Sequence, residues 1–174
     1  MTEGYRASPH EFFMSQPAEM LLGESRRTID ERYRLSLPAE MAELLLIGSD
    51  EVVLAKERLG CLSLWNVQRW SEKLAAGVNL VQQKIAAGRL EGRVEEVQRL
   101  GRLLSTRHTN IPLAQRGRLV VPEGFREFLG VSPGQEVCVV GAAVCVELWQ
   151  PDAWHEYIAQ QMPEFRRLSD SLSS

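Results

Sequence analysis

The segment "DERYRLSLPAEM", Asp30–Met41, is echoed by "AQRGRLVVPEGF", Ala114–Phe125, 84 residues later. Sliding the chain on itself by 84 gives a gapless register over residues 30–70, with 11 identities in 41 positions. They include Arg32/Arg116, Arg34/Arg118, Leu35/Leu119, Pro38/Pro122, Val53/Val137, Cys61/Cys145, Trp65/Trp149 and Trp70/Trp154. Two matched tryptophan pairs are improbable by chance, so the chain carries an internal duplication. A unit of about 40 residues is too small to bury its own face well. Two copies in one chain are therefore expected to complete each other's sheet about a pseudo-twofold axis.

Each copy reads alike. A short alternating strand, Arg34-Leu-Ser-Leu or Arg118-Leu-Val-Val, runs into a proline suited to the start of a helix. "PAEMAELL" and "PEGFREFLG" supply that helix, stopped in the second copy by Gly130. After the turn signals "GSD" and "SPG" come two strands, "EVVLAKE" with "CLSLW" and "EVCVV" with "VCVELW". The helix "PDAWHEYIAQQM" closes the second copy. Between the copies, Leu74, Val78, Val81 and Ile85 recur at helical spacing, as do Leu90, Val94, Val97, Gly101 and Leu104, with Gly88 between the two stripes. The expected organisation is a flexible N-terminal extension over residues 1–19 and a first repeat over 20–70. A two-helix connection over 71–109, a second repeat with its closing helix over 110–162 and a flexible tail over 163–174 complete it.

The formal charge of −3 conceals an uneven distribution. Residues 26–34 carry +2 and residues 84–118 carry +5, so positive charge collects just before each repeat core. Seventeen of the 20 basic residues are Arg, whose planar fork makes two-pronged contacts that Lys cannot. No apolar run approaches the roughly 18–20 residues that span a bilayer, and the first residues lack the basic head and apolar core of a secretory signal. A soluble, cytoplasmic chain with no membrane partner is expected. Cys61, Cys138 and Cys145 lie in or beside apolar runs without C-x-x-C spacing and read as buried hydrophobes. The three histidines are scattered, so no metal and no cofactor are expected. No Ser–His–Asp order, phosphate-cradling loop or carboxylate pair stands out, and neither an enzyme nor a small-molecule substrate is expected.

"MLLGESRRTIDERYRLSLPAEM", Met20–Met41, resembles the start of MraZ proteins, bacterial members of the SpoVT/AbrB superfamily. Asp30 and Arg34 match that family's Asp-x-x-x-Arg motif, and Arg32 sits at a position usually basic there. "QRLGRLLSTR" resembles the Arg-containing helix before the second motif, and "VELWQPDAWHEYI" the closing strand and helix. The likeness runs from Met20 to about Gln161. Two departures stand out: Ala114 replaces the second motif's Asp, and Tyr33 stands where Gly or Asn is commoner.

The resemblance implies an α+β fold of two tandem swapped-hairpin β-barrel half-units, AbrB-like and related by a pseudo-twofold, with linking and C-terminal helices. It further implies a ring-forming, nucleoid-associated transcriptional regulator that binds short direct repeats in double-stranded DNA upstream of the division and cell-wall gene cluster. From the residues, a strand beginning early enough would set Arg32 and Arg34 on one face, and Arg116 and Arg118 likewise. The expected DNA patch comprises those four arginines with Arg26 and Arg27 at its rim, some on phosphates and others on guanine edges. Asp30 is expected to hold Arg34 or the turn backbone, or simply to cap the turn; Ala114 would leave Arg118 less ordered. Four arginines bind weakly, so repeated presentation in a homo-oligomeric ring is expected to raise affinity, and the linker helices would then serve assembly. An AbrB-like antitoxin and a ring scaffold without DNA binding are the alternatives.

Overall fold

The computed structural model describes residues 20–174; the extension expected over residues 1–19 lies outside the described residues. The first copy comprises β1 (Glu24–Thr28), β2 (Arg34–Ser36), α1 (Ala39–Leu45), β3 (Glu51–Arg58) and β4 (Cys61–Asn66). The connection is α2 (Val67–Ala86) and α3 (Val94–Arg107), with Gly88 and Leu90 in the turn between them. The second copy comprises β5 (His108–Pro112), β6 (Arg118–Val120), α4 (Glu123–Leu129), β7 (Glu136–Gly141), β8 (Val146–Trp149) and α5 (Pro151–Gln161), followed by α6 (Phe165–Ser173). Pro38 and Pro122 occupy the N-cap positions of α1 and α4, and Gly130 closes α4 in the left-handed region at φ 72°. Where a fraying tail was expected, α6 is helical, though it buries no side chain.

The strands pair antiparallel into a six-stranded sheet, order β1-β7-β8-β4-β3-β5, and a two-stranded ribbon of β2 with β6. The copies interleave: β1 pairs with β7 of the second copy, and β5 pairs with β3 of the first. Across the β4–β8 junction Ser63 faces Glu147, and across the ribbon Leu35 faces Leu119. In both pairs each residue faces its own repeat counterpart, 84 positions away. β1 and β5, not foreseen from the sequence, close the two ends of the sheet.

One detail of the gapless register needs correction. Val52 and Leu54 enter the main core, and their places in the second copy are filled by Val137 and Val139, 85 residues on rather than 84. The extra residue lies in the turn before β7, and the β7–β8 hairpin gives it back, since Leu62 and Leu64 match Val146 and Leu148 at 84. Val53 and Val137 are therefore identical in sequence but face opposite sides of the sheet. A slip of one residue along a strand turns every side chain over.

The main core lies between ribbon and sheet. Leu35, Leu37, Leu119 and Val121 from the ribbon meet Val52, Leu54, Leu62, Leu64, Val137, Val139, Val146 and Leu148, sealed by Met41, Leu45, Phe125 and Leu129 of α1 and α4. Two smaller clusters occupy the other sheet face. One joins Val53, Trp65 and Trp70 to Cys145; the other joins Cys138, Val140, Trp149 and Trp154 to Cys61. Each tryptophan pair thus packs on the other copy's cysteine. Burial raises all three thiols, Cys145 to about 12, so none is thiolate at neutral pH.

Near this junction Trp65 Nε1 donates to Ser63 Oγ (2.8 Å), which donates to Glu57 Oε1 (2.7 Å). At the matching place Trp149 Nε1 donates to Glu147 Oε2 (2.8 Å). Burial pushes the Glu147 carboxyl up, and the neighbouring Glu57 adds to the shift. Outside the sheet, α2 and α3 enclose a groove of about 390 Å³ whose apolar walls include Leu74, Val78, Val81, Val97 and Leu104. Among the described residues, no helix is long and apolar enough to cross a membrane.

Candidate nucleic-acid interface

The ribbon alternates as a two-residue period dictates. Leu35 and Leu119 point into the core at 3% and 1% exposure, while Arg34, Ser36, Arg118 and Val120 stand on the outer face. Arg34 lies opposite Val120, and Ser36 opposite Arg118. Residues opposite one another in an antiparallel pair share a face, and a diagonal pair is separated by about 7–8 Å. One guanidinium from each copy therefore emerges on a common side. An open cleft of about 300 Å³ beside the ribbon is lined by Arg27, Arg34 and Arg118, together with Thr28, Asp30 and Ser36. Arg27 Nε is buried there and has no hydrogen-bond partner among the described residues.

Arg32 and Arg116 lie elsewhere than the sequence reasoning placed them. β2 begins at Arg34, and Arg32 belongs to the preceding turn; Arg116 likewise precedes β6. The reason is the backbone at the intervening residue. Tyr33 has φ 56° and its counterpart Gly117 has φ 71°, so neither chain is extended there and alternation does not carry across. Both Arg32 and Arg116 are exposed at the turn corners that flank the ribbon. Arg26, expected beside Arg27 at the rim, is on the opposite face of β1. There Arg26 Nη1 donates to Glu136 Oε2 (3.0 Å) and Nη2 lies 3.0 Å from His155 Nε2.

The two turns share a backbone hydrogen-bond pattern, but Arg116 has φ 65° where Arg32 does not turn left-handed, and their side-chain chemistry differs. In the first, Asp30 N donates to Arg34 O (3.0 Å) and Tyr33 N to Asp30 O (2.9 Å). In the second, Ala114 N donates to Arg118 O (2.8 Å) and Gly117 N to Ala114 O (3.1 Å). Only the first has a carboxylate. Asp30 Oδ1 accepts from the N–H of Arg32 and of Arg34, each at 2.9 Å, and Oδ2 accepts from Arg34 Nε at 2.7 Å. These contacts, the Arg34 backbone N–H foremost, hold the Asp30 carboxyl below its ordinary value. Because Asp30 engages Nε, it fixes the direction of Arg34 without occupying the terminal Nη fork. Arg118 has no such tether at Ala114.

Tyr33 is tolerated at positive φ by a contact with the second copy: the Arg126 guanidinium lies 4.1 Å from the centre of its ring. Arg126 Nε also donates to Val121 O at 2.9 Å. At the counterpart position, a Cβ on Gly117 would sit 3.0 Å from Leu37 O and 3.1 Å from the Ala42 side chain, and Ala42 is the repeat counterpart of Arg126. A large pair, Tyr33 with Arg126, thus fills one corner and a small pair, Gly117 with Ala42, the other. Arg126, Ser36 and Val120 were absent from the sequence-based site. The alternation of the ribbon strands, which puts Ser36 and Val120 in phase with the arginines, was the signal available for the last two.

A family model described as "MraZ protein, putative antitoxin-like" matches residues 106–172. Relatives named Transcriptional regulator MraZ align over most of both chains. The protein from Moorella thermoacetica is 28% identical over 153 residues, 88% of this chain and 96% of the relative. That from Paenarthrobacter aurescens is 28% identical over 151 residues, 87% and 95% of the two chains. That from Roseiflexus castenholzii is 29% identical over 140 residues, 80% and 87%. With the duplicated arginine turns and the near full-length alignments, the chain is similar to MraZ proteins along most of its length.

Proposed function

We propose that this chain is a transcriptional regulator, as its relatives are named, that acts by binding DNA and is not an enzyme. The β2–β6 ribbon enters the major groove of duplex DNA. The observation that carries this reading is the ribbon register, which sets Arg34 and Arg118 on one outward face beside the cleft that holds Arg27. A two-stranded ribbon fits the major groove, where a guanidinium can pair with the O6 and N7 of guanine. Arg34, aimed by Asp30, suits a base edge; Arg118, Arg27, Arg32 and Arg116 suit phosphates. The interleaved strands support reading the architecture as two swapped-hairpin barrel half-units about a pseudo-twofold. The apolar groove between α2 and α3 supports self-association, and a homo-oligomeric ring would multiply a weak patch across short direct repeats. Upstream DNA of the division and cell-wall gene cluster, in the nucleoid, is the proposed place of action.

The test pairs light scattering with mobility shifts on the chain's own upstream region. Each neutralised phosphate contributes about −0.9 to the log–log salt slope. Replacing Arg32 and Arg34 together by Ala is expected to keep the assembly folded, weaken binding and flatten that slope. Wild-type affinity in the double variant would remove the arginine patch from the mechanism. An antitoxin reading has one observation in its favour: α6 exposes Phe165, Leu168 and Leu172 along one side. Co-purification of a small ribonuclease-like protein that is lost on deleting residues 163–174 would favour it.

A further inference from the structure

Charge is repeated on the ribbon, but the neutral residues beside it are not. Arg34 and Arg118 are repeat counterparts, and so are Ser36 and Val120. Val120 is 46% exposed on the same face as the arginines and lies directly opposite Arg34. Its place in the first copy is taken by a hydroxyl. Burial does not explain this valine, since the core contacts of its strand are made by Leu119 and its neighbour Val121.

We propose, resting on the reading of the ribbon as a major-groove reader, that Val120 is a specificity-determining residue that selects thymine through its 5-methyl group. Thymine carries the apolar group on the major-groove edge; guanine, adenine and cytosine offer there the acceptors and donors that a valine cannot satisfy. Facing one of those edges, Val120 would strip water from a polar atom and return no hydrogen bond. Facing thymine, it buries a methyl group. Ser36 both donates and accepts, so it discriminates far less at the equivalent place in the first half. The two arginines anchor both halves alike, and the Ser36/Val120 difference makes one half ask for a methyl group where the other does not.

The experiment uses the full chain and a randomised duplex library to select a bound core, then substitutes deoxyuridine for each thymine of that core in turn. Anisotropy titrations are expected to show one position at which losing the methyl group weakens wild-type binding about fourfold, the worth of one buried methyl. In Val120→Ser the same substitution is expected to cost nothing, and Val120→Thr, which keeps a methyl group, is expected to retain the penalty. Unchanged thermal midpoints show that both variants are folded, as an exposed site should allow. A selected core without thymine, deoxyuridine tolerated at every position, or an equal penalty in wild type and Val120→Ser would overturn the assignment. Retention of no duplex at low salt would overturn the DNA-binding reading itself, and the role of Val120 with it.

Discussion

The pair Leu35 and Leu119 offers a direct measure of how far the two copies depend on each other. Each is almost wholly buried, and they face one another across the ribbon, so their Cβ atoms lie about 4.5–5.5 Å apart. Truncating either to Ala removes three carbons from the core. At about 0.8 kcal/mol per methylene the transfer loss is about 2.4 kcal/mol, and the cavity brings the expected cost to roughly 3 kcal/mol, inside the roughly 2–5 kcal/mol range for such changes. Substitutions more than about 7–10 Å apart add to within about 0.5 kcal/mol. These two share one wall, and the second truncation enlarges a cavity already made. The double variant is therefore expected to cost less than the sum, by about 1 kcal/mol or more. Urea unfolding at one fixed protein concentration, followed by circular dichroism and by tryptophan fluorescence, gives all four corners of the cycle. Costs that add to within about 0.5 kcal/mol, or two separate transitions in the wild type, would refute the shared core.

Two further outcomes depend on carboxylates. The lowered Asp30 value means that the folded turn favours the ionised form, so its contribution is present above the ordinary carboxylate range and is lost as pH falls through the folded value. Asp30→Ala, which gives the first turn the chemistry of Ala114, is expected to melt below wild type at neutral pH and to converge with it on acidification. A gap that does not change with pH would show that the carboxylate is not its source. Glu147 has the opposite sign. Its raised value means that the protonated form is favoured in the fold, so wild-type stability falls as pH rises from the ordinary glutamate range through the folded value. Glu147→Gln keeps an oxygen for Trp149 Nε1 and is expected to be the more stable above that range, with the advantage vanishing in acid; thermal midpoints across pH read this directly.

The duplication, the two short helices behind their prolines, the two interrepeat helices and the paired tryptophans were legible because each rests on residue type and local spacing. The burial of the cysteines was legible for the same reason. β1 was not: "ESRRT" contains no apolar residue, so it offers no alternation to detect, and only its hydrogen bonds to β7 make it a strand. The Val53/Val137 identity misled because a compensated one-residue shift leaves the sequence alignment intact while reversing the face.

For the candidate interface, the sequence by itself determined the residue types, their duplication and the loss of the carboxylate at Ala114. Tertiary structure decided which guanidinium groups share a surface. Positive φ at Tyr33 and Gly117 took Arg32 and Arg116 off the strands, and pairing with β7 divided Arg26 from Arg27. The physical reason is that a strand's faces have meaning only once a partner fixes its register, and here the partners come from the other copy, far along the chain.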